Sequence, residues 1–292
     1  MKYKGSVSRR VFVVFNYCFI TLTCLLCLYP ILNILAISFS SKTAVNAGQV
    51  GILPVGFHLD AYKYVMQNDQ FFTSFGIAVK RLLLGVFFNM TLTILAAYPL
   101  AKSRKMFPKR DVFMWYFLVA MLFNGGLIPT YLVVKETGIL NSIWALILPG
   151  AVPIYNIILL QNYFKGLPDE IYDSARIDGA GEWRILGQIF LPLSKPVLAT
   201  LVTFAAVGHW NSWFDGIIYM NRIERYPLQS YLQTVVAKID TSTIMDMSQI
   251  ENIVTRNNRA AQIFVAMVPI LCVYPFLQKY FTKGIVLGSV KG

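Results

Sequence analysis

The sequence predicts an all-α integral membrane protein of six transmembrane helices, and three observations lead there. Only 14% of its 292 residues are charged, against 56% hydrophobic, where an average soluble domain carries about 25% charged residues. The shortfall is confined to long runs without an ionisable side chain, the pattern of a chain whose solvent is lipid. Lys and Arg crowd into alternate segments between those runs.

The uncharged runs are 11–41, 82–101, 112–134, 137–164, 196–214 and 260–278. A spanning helix needs about 20 mostly apolar residues. Allowing helical ends to extend past the runs places spans at about 11–38, 75–101, 112–134, 142–164, 196–220 and 260–279 of a single transmembrane domain, 1–292. No Asp, Glu, Lys or Arg lies inside the runs, which argues against a proton or ion relay. The first run follows Lys2, Lys4, Arg9 and Arg10 but far exceeds the roughly 7–15 apolar residues of a secretory signal. It reads as a retained anchor.

Orientation follows from Lys and Arg. With the N-terminus inside, segments 1–10, 102–111, 165–195 and 279–292 face the cytoplasm and hold 16 of the 26 basic residues. The tight cluster Lys102, Arg104, Lys105, Lys109 and Arg110 is the strongest single indication, because short loops obey the rule best. An even number of spans puts the C-terminus inside as well. The net charge of +12 is thereby explained as topology, and a nucleic-acid patch is not expected. Cys18, Cys24, Cys27 and Cys272 all lie in apolar runs and read as small apolar residues, so no metal site is expected. The glycosylation triplet Asn89-Met90-Thr91 lies in the middle of a run and carries no such meaning.

Segment 165–195 is 31 residues long, more than a hairpin between membrane helices requires. Pro168 opens a helix with Asp169 and Glu170 in its first turn. Asp178-Gly179-Ala180-Gly181 reads as a turn, and Trp183, Leu186, Ile189 and Phe190 fall on one face of a second helix that Leu191-Pro192 ends. A plain interfacial amphipathic helix accounts for the apolar face but not for two short helices about a glycine.

At this point the sequence resembles a known family. Import permeases of ATP-binding-cassette (ABC) systems carry a cytoplasmic motif of E-A-A, three residues, Gly, nine residues and I-x-L-P. Here Asp173-Ser174-Ala175, three residues, Gly179, nine residues and Ile189-Phe190-Leu191-Pro192 keep that spacing, with Asp for Glu and Ser for Ala. The resemblance implies the type I ABC importer permease fold, and it implies that 165–195 holds the coupling helices that dock on a separate ATPase. Asp173, Ser174, Ala175, Asp178, Gly179, Ala180 and Trp183 would make that contact. No G-x-x-x-x-G-K-[ST] occurs, so ATP and Mg belong to the partner ATPase and no cofactor or catalytic residue is expected in this chain.

The stretches 124–131, 138–149, 210–214, 226–229 and 274–292 are similar to the carbohydrate branch of that family, including the smaller permease of the maltose importer and the permeases for complex oligosaccharides. The resemblance implies a bacterial cell membrane, a second related permease, an ATPase dimer, an extracytoplasmic binding protein and an oligosaccharide substrate. Non-sugar solutes share the loop motif and remain an alternative; an ion-coupled carrier is a more distant one.

Sugars present hydroxyls around an apolar ring face, which suits aromatic and amide side chains. His209, Trp210, Asn211, Trp213 and Phe214 supply both, with Asn124 and Asn156 as further candidates for the substrate pathway. His209 stands about 21 Å along the fifth span from Lys195 at 1.5 Å per residue. The aromatic members fit an interfacial belt equally well. Outer segments 38–74 and 221–259 are too long for hairpins; 59–67 and 228–236 read as short surface helices. They either receive the binding protein or cap the bundle, and 245–258 reads as a loop reaching toward it.

Overall fold

The computed structural model describes residues 7–237 and 256–289, the last of them (from 273) and 236–237 by backbone alone. Every regular element among them is helical. The reading of 245–258 as a reaching loop falls largely outside the described residues.

The chain divides into two compact units. The first comprises Met1–Asp69 with Thr234–Met267. Its long helix α1 (Val7–Ser38) is exposed along most of its length and buries only Ala36, Ile37 and Ser38. Behind it lie α2 (Lys42–Asn46) and α3 (Asp60–Met66), the latter close to the helix expected at 59–67. Phe39 stacks between Phe57 and Tyr62 at centroid distances of 5.4 and 4.8 Å. Ile37, Val45 and Ala260 form a small core, and Asn257 Nδ2 donates to the Ser40 carbonyl at 2.5 Å. Segment 38–66 is therefore folded, not a slack loop.

The second unit comprises Gln70–Gln233 with Val268–Gly292. It is built on α4 (Asp69–Ala101), followed by α5 (Arg110–Leu122), α6 (Leu127–Glu136), α7 (Ile154–Lys165), α8 (Asp169–Ile177) and α9 (Glu182–Leu193). Then come α10 (Lys195–Asn211), α11 (Phe214–Tyr219), α12 (Leu228–Ala237) and α13 (Arg256–Ser289), of which Thr234–Ala237 and Arg256–Met267 belong to the first unit. The buried stripe of α4 is Ser74, Ala78, Arg81, Gly85, Asn89, Thr93 and Ala97, a helical repeat of small and polar residues. In lipid such a stripe lets helices approach closely and bond across the seam.

Among the described residues two helices, α1 and α4, are long and apolar enough to cross a membrane in one piece. Three bent pairs reach that length only together. The third expected span is not one helix: α5 and α6 meet at 114°. Gly126 takes φ +85°, a conformation glycine adopts cheaply, and its N–H is held by Asn124 Oδ1 at 2.8 Å. The fourth is broken too, bending by 49° between Ile143–Gly150 and α7, because Pro149 and Pro153 cannot donate the helical hydrogen bond. α9 and α10 meet at 84°.

Two further expectations are corrected. The second helix begins at Asp69, so Lys80 and Arg81 lie inside it, and Asp215 lies within the span placed at 196–220. Ionisable residues do enter these helices, and the argument from their absence falls. Leu191-Pro192 also does not end the second helix of segment 165–195, which runs to Leu193. Pro192 has no N–H for the Gln188 carbonyl, and residues Leu186–Phe190 widen into a π turn.

Candidate functional site

Two features of the second unit bear on function: a polar cavity along α4 and the helix–turn–helix formed by α8 and α9.

The cavity has a volume of about 530 Å³. Arg81, Asn89, Asn156, His209, Asp215 and Tyr219 give it its polar lining, with Pro149, Pro153 and Gly208 among its walls. Its geometry follows from the breaks described above. The break ahead of α7 leaves the Gly150 and Ala151 carbonyls without helical partners, and Asn89 Nδ2 donates to both, at 2.8 and 3.0 Å. That orientation leaves Asn89 Oδ1 as an acceptor, 2.8 Å from His209 Nε2, so the proton on His209 sits on Nε2. One amide thus ties α4, the pre-α7 turn and α10 together.

A second tie lies toward the N-terminal end of the α4 stripe. Arg81 bonds Asp215 through both terminal nitrogens, with Nη1–Oδ1 at 3.0 Å, and also donates to the Ser212 carbonyl at 3.3 Å. Asp215 Oδ1 further accepts from Ser212 Oγ and the Gly216 N–H, each at 2.9 Å. The Arg81 side chain is 3% exposed, so its charge depends on this bidentate pairing. Gly85 lets α10 approach α4: a Cβ there would fall on the His209 ring. Gly85→Ala is therefore expected to destabilise the chain by about 1–3 kcal/mol through overpacking. This is read as a lower thermal midpoint in detergent, which His209→Ala in the same chain restores.

Of the seven residues proposed from sequence for a substrate pathway, the structure brings only Asn156 and His209 to the cavity. Trp210 is buried edge-on against Phe75 at 5.9 Å. Asn211 is exposed. Trp213 and Phe214 pack against each other at 5.6 Å and remain exposed. Asn124 shapes the turn before α6. These five do not line the cavity. Arg81, Asn89, Asp215 and Tyr219 do, and sequence reading missed them. The signal for the first two was the polar spacing of α4; Arg81 fell just outside the uncharged run that starts at residue 82.

The helix–turn–helix is built as expected at its centre. Gly179 has φ +78°, its N–H donates to Arg176 O at 3.1 Å, and the Ala180 N–H donates to Ala175 O at 2.9 Å. This pair of bonds is the Schellman ending, which needs a left-handed residue just past the helix. Ala175 is buried and Ala180 half-buried, while Asp173, Ser174, Asp178 and Gly179 are exposed. Trp183 does not share the buried face: it is 76% exposed, whereas Ile185, Leu186 and Phe190 are buried. Ile177, beside the turn, is 86% exposed. The rim of the turn therefore presents two large apolar side chains and several polar ones to the exterior.

Beneath the turn, Ala175, Ile185, Leu186 and Phe190 pack into one core with Ala97, Tyr98, Leu100, Ile157, Leu160, Phe164 and Leu201. Phe190 meets Tyr98 and Phe164 edge-on at 5.2 and 5.4 Å, contacts worth about 0.5–1.5 kcal/mol each beyond their buried area. Gln161 Nε2 donates to Leu100 O at 3.1 Å, fixing α7 to the end of α4.

Comparison with known proteins gives the following. The family described as binding-protein-dependent transport system inner membrane component matches residues 2–287. Protein LplC of Bacillus subtilis is 42% identical over 289 residues, covering 99% of this chain and 97% of that protein. The polygalacturonan/rhamnogalacturonan transport system permease protein YtcP of Bacillus subtilis is 38% identical, covering 98% and 100%. A chain of a bacterial ABC transporter involved in the import of the acidic polysaccharide alginate superposes with a TM-score of 0.86 at 32% identity, covering 95% of this chain and 99% of that one.

Proposed function

Because the chain belongs to the family of binding-protein-dependent transport system inner membrane components, we propose that it moves an oligosaccharide inward as the permease subunit of an ATP-driven importer. Its six spans would leave both termini in the cytoplasm, with 165–195 as the coupling segment, and Asp173, Ser174, Ala175, Asp178, Gly179, Ala180 and Trp183 would engage or shape the contact with the ATPase. A second permease, an ATPase dimer holding ATP and Mg, and an extracytoplasmic binding protein complete the assembly.

The observation that carries the coupling reading is the turn at Gly179. It is rigid through paired backbone bonds, yet Ile177 and Trp183 stand exposed on its rim. Exposed apolar side chains around a rigid turn are what a protein groove seats. The oligosaccharide reading rests on similar proteins whose names record polygalacturonan/rhamnogalacturonan transport and alginate import. The cavity is compatible with it: amide, imidazole and aromatic groups line it, and its one cation is neutralised by Asp215.

The test is co-expression with the neighbouring subunits, followed by purification and cross-linking from a cysteine at Ile177. The expected result is a complex containing an ATPase and a second permease, with the cross-link reaching the ATPase. A chain that purifies without an ATPase and supports uptake driven by an ion gradient would overturn the proposal in favour of a carrier.

A further inference from the structure

The end of α4 and both arms of the helix–turn–helix meet at one cluster of polar side chains. Lys102 Nζ lies 3.2 Å from Glu182 Oε2 and 2.9 Å from Tyr98 Oη. Tyr98 Oη donates to Glu182 Oε2 at 2.7 Å, and Tyr172 Oη donates to Glu182 Oε1 at 2.6 Å. Arg176 adds a longer approach to Glu182 Oε1 at 3.7 Å. The ammonium also sits over aromatic faces, 3.5 Å from the Tyr172 ring centroid, 4.2 Å from that of Tyr98 and 5.3 Å from that of Phe190. Tyr98 and Lys102 come from the end of α4, Tyr172 and Arg176 from α8, and Glu182 and Phe190 from α9.

This is more structure than a surface ion pair, worth little on its own, provides. The Lys102 side chain is 13% exposed, and its cation has both a carboxylate and three ring faces as partners. Burial lowers the Lys102 pKa, with Glu182 pulling the other way. Burial alone would raise the Glu182 pKa, but hydrogen bonds from Tyr172, Tyr98 and Lys102 hold it below the usual carboxylate value. Burial, then the bond to Glu182, pushes Tyr172 up to about 12. Glu182 is therefore ionised at neutral pH, with the Lys102 amine 3.2 Å from it.

We propose that Lys102 and Glu182 form a mechanical latch that passes movement of the 165–195 turn to α4. The Schellman turn stiffens the link between α8 and α9, and the latch joins both to the final turn of α4. Asn89, the residue that ties the cavity together, lies 13 positions up the same helix, about 20 Å at 1.5 Å per residue. A displacement of the turn thus reaches the cavity through one helix rather than through a diffuse path. Lys102 and Glu182 are positioning residues, since neither lines the cavity. This proposal rests on the coupling reading above.

The experiment measures solute imported per ATP hydrolysed by the complete complex in vesicles. The variants are Lys102→Met, Lys102→Arg and Tyr172→Phe, with Gly179→Trp run alongside. Lys102→Met is expected to assemble and hydrolyse ATP while import per ATP falls at least five-fold. Lys102→Arg, which keeps the cation over the rings, restores it to within about two-fold. Tyr172→Phe removes only the hydroxyl on Glu182 and is expected to give an intermediate fall; if Lys102→Met does not assemble, this variant decides. Unchanged import per ATP in Lys102→Met overturns the latch, as does a fall that Lys102→Arg fails to reverse. If Tyr172→Phe must decide, unchanged import per ATP in it does the same. Stimulated hydrolysis that survives Gly179→Trp overturns the underlying coupling assignment instead, whatever the Lys102 variants do.

Discussion

Arg81→Leu is expected to destabilise the chain by about 3–5 kcal/mol, the cost of leaving one partner of a buried ion pair unmatched. The residue is the centre of a bidentate bond to Asp215, and removing it strands a carboxylate whose side chain is only 23% exposed. Part of that loss is cushioned by Ser212 Oγ and the Gly216 N–H, which still donate to Asp215, so the lower end of the range is expected. The thermal midpoint in detergent and the yield of folded chain report it. Arg81→Leu with Asp215→Leu should recover most of the stability, because replacing both charges by apolar groups of similar size is often close to neutral. Recovery would identify the single-variant loss as a stranded charge. Equal losses in the single and double variants would assign it to packing.

What sequence could and could not disclose here has physical reasons. The turn at Gly179 was legible because its chemistry is local: a helix start at Pro168 with acids in the first turn, then a glycine at the one position that needs positive φ. Helices near 59–67 and 228–236 were legible as well, but the second is not a surface helix: Leu228, Ser230, Tyr231, Leu232 and Val235 are buried. Trp183 was misplaced by an assumption of regular α-helical period. The π turn at Leu186–Phe190 inserts an extra residue per turn and rotates everything before it relative to Ile189 and Phe190 by about 100°. Trp183 therefore leaves the face that its spacing implied. The cavity was the least legible part. Asn89 earns its role from carbonyls 61 and 62 residues away, and Arg81 from a carboxylate 134 residues away. No window of sequence contains both members of either pair. The polar spacing along α4 was visible, yet its meaning depends on α7 and α10 packing against it. The group 210–214 has a suitable composition, but Trp210, Asn211, Trp213 and Phe214 do not line the cavity, and backbone geometry rather than composition decides that.

The second large effect concerns the turn itself. A Cβ at Gly179 meets nothing within 4 Å, so Gly179→Trp has room in this chain. Its intrinsic penalty is the left-handed backbone, about 1–2 kcal/mol for a residue with a side chain. That is less than the cost expected at Arg81, and the variant should remain folded. An indole placed on the rim between Ile177 and Trp183 would nonetheless occupy the surface that must seat against a partner, and an interface rejects an unaccommodated large side chain far more strongly than the free chain does. Any functional loss in a folded Gly179→Trp chain is therefore a property of the contact.

The central claim is that 165–195 joins this permease to a separate nucleotide-hydrolysing subunit. Its most direct measure is ATP hydrolysis stimulated by the solute-loaded binding protein, compared between the native complex and one carrying Gly179→Trp, with the folded state of the chain checked by its thermal midpoint. Stimulation reduced ten-fold or more in a chain that stays folded is the predicted result. Stimulation equal to that of the native complex would contradict the account.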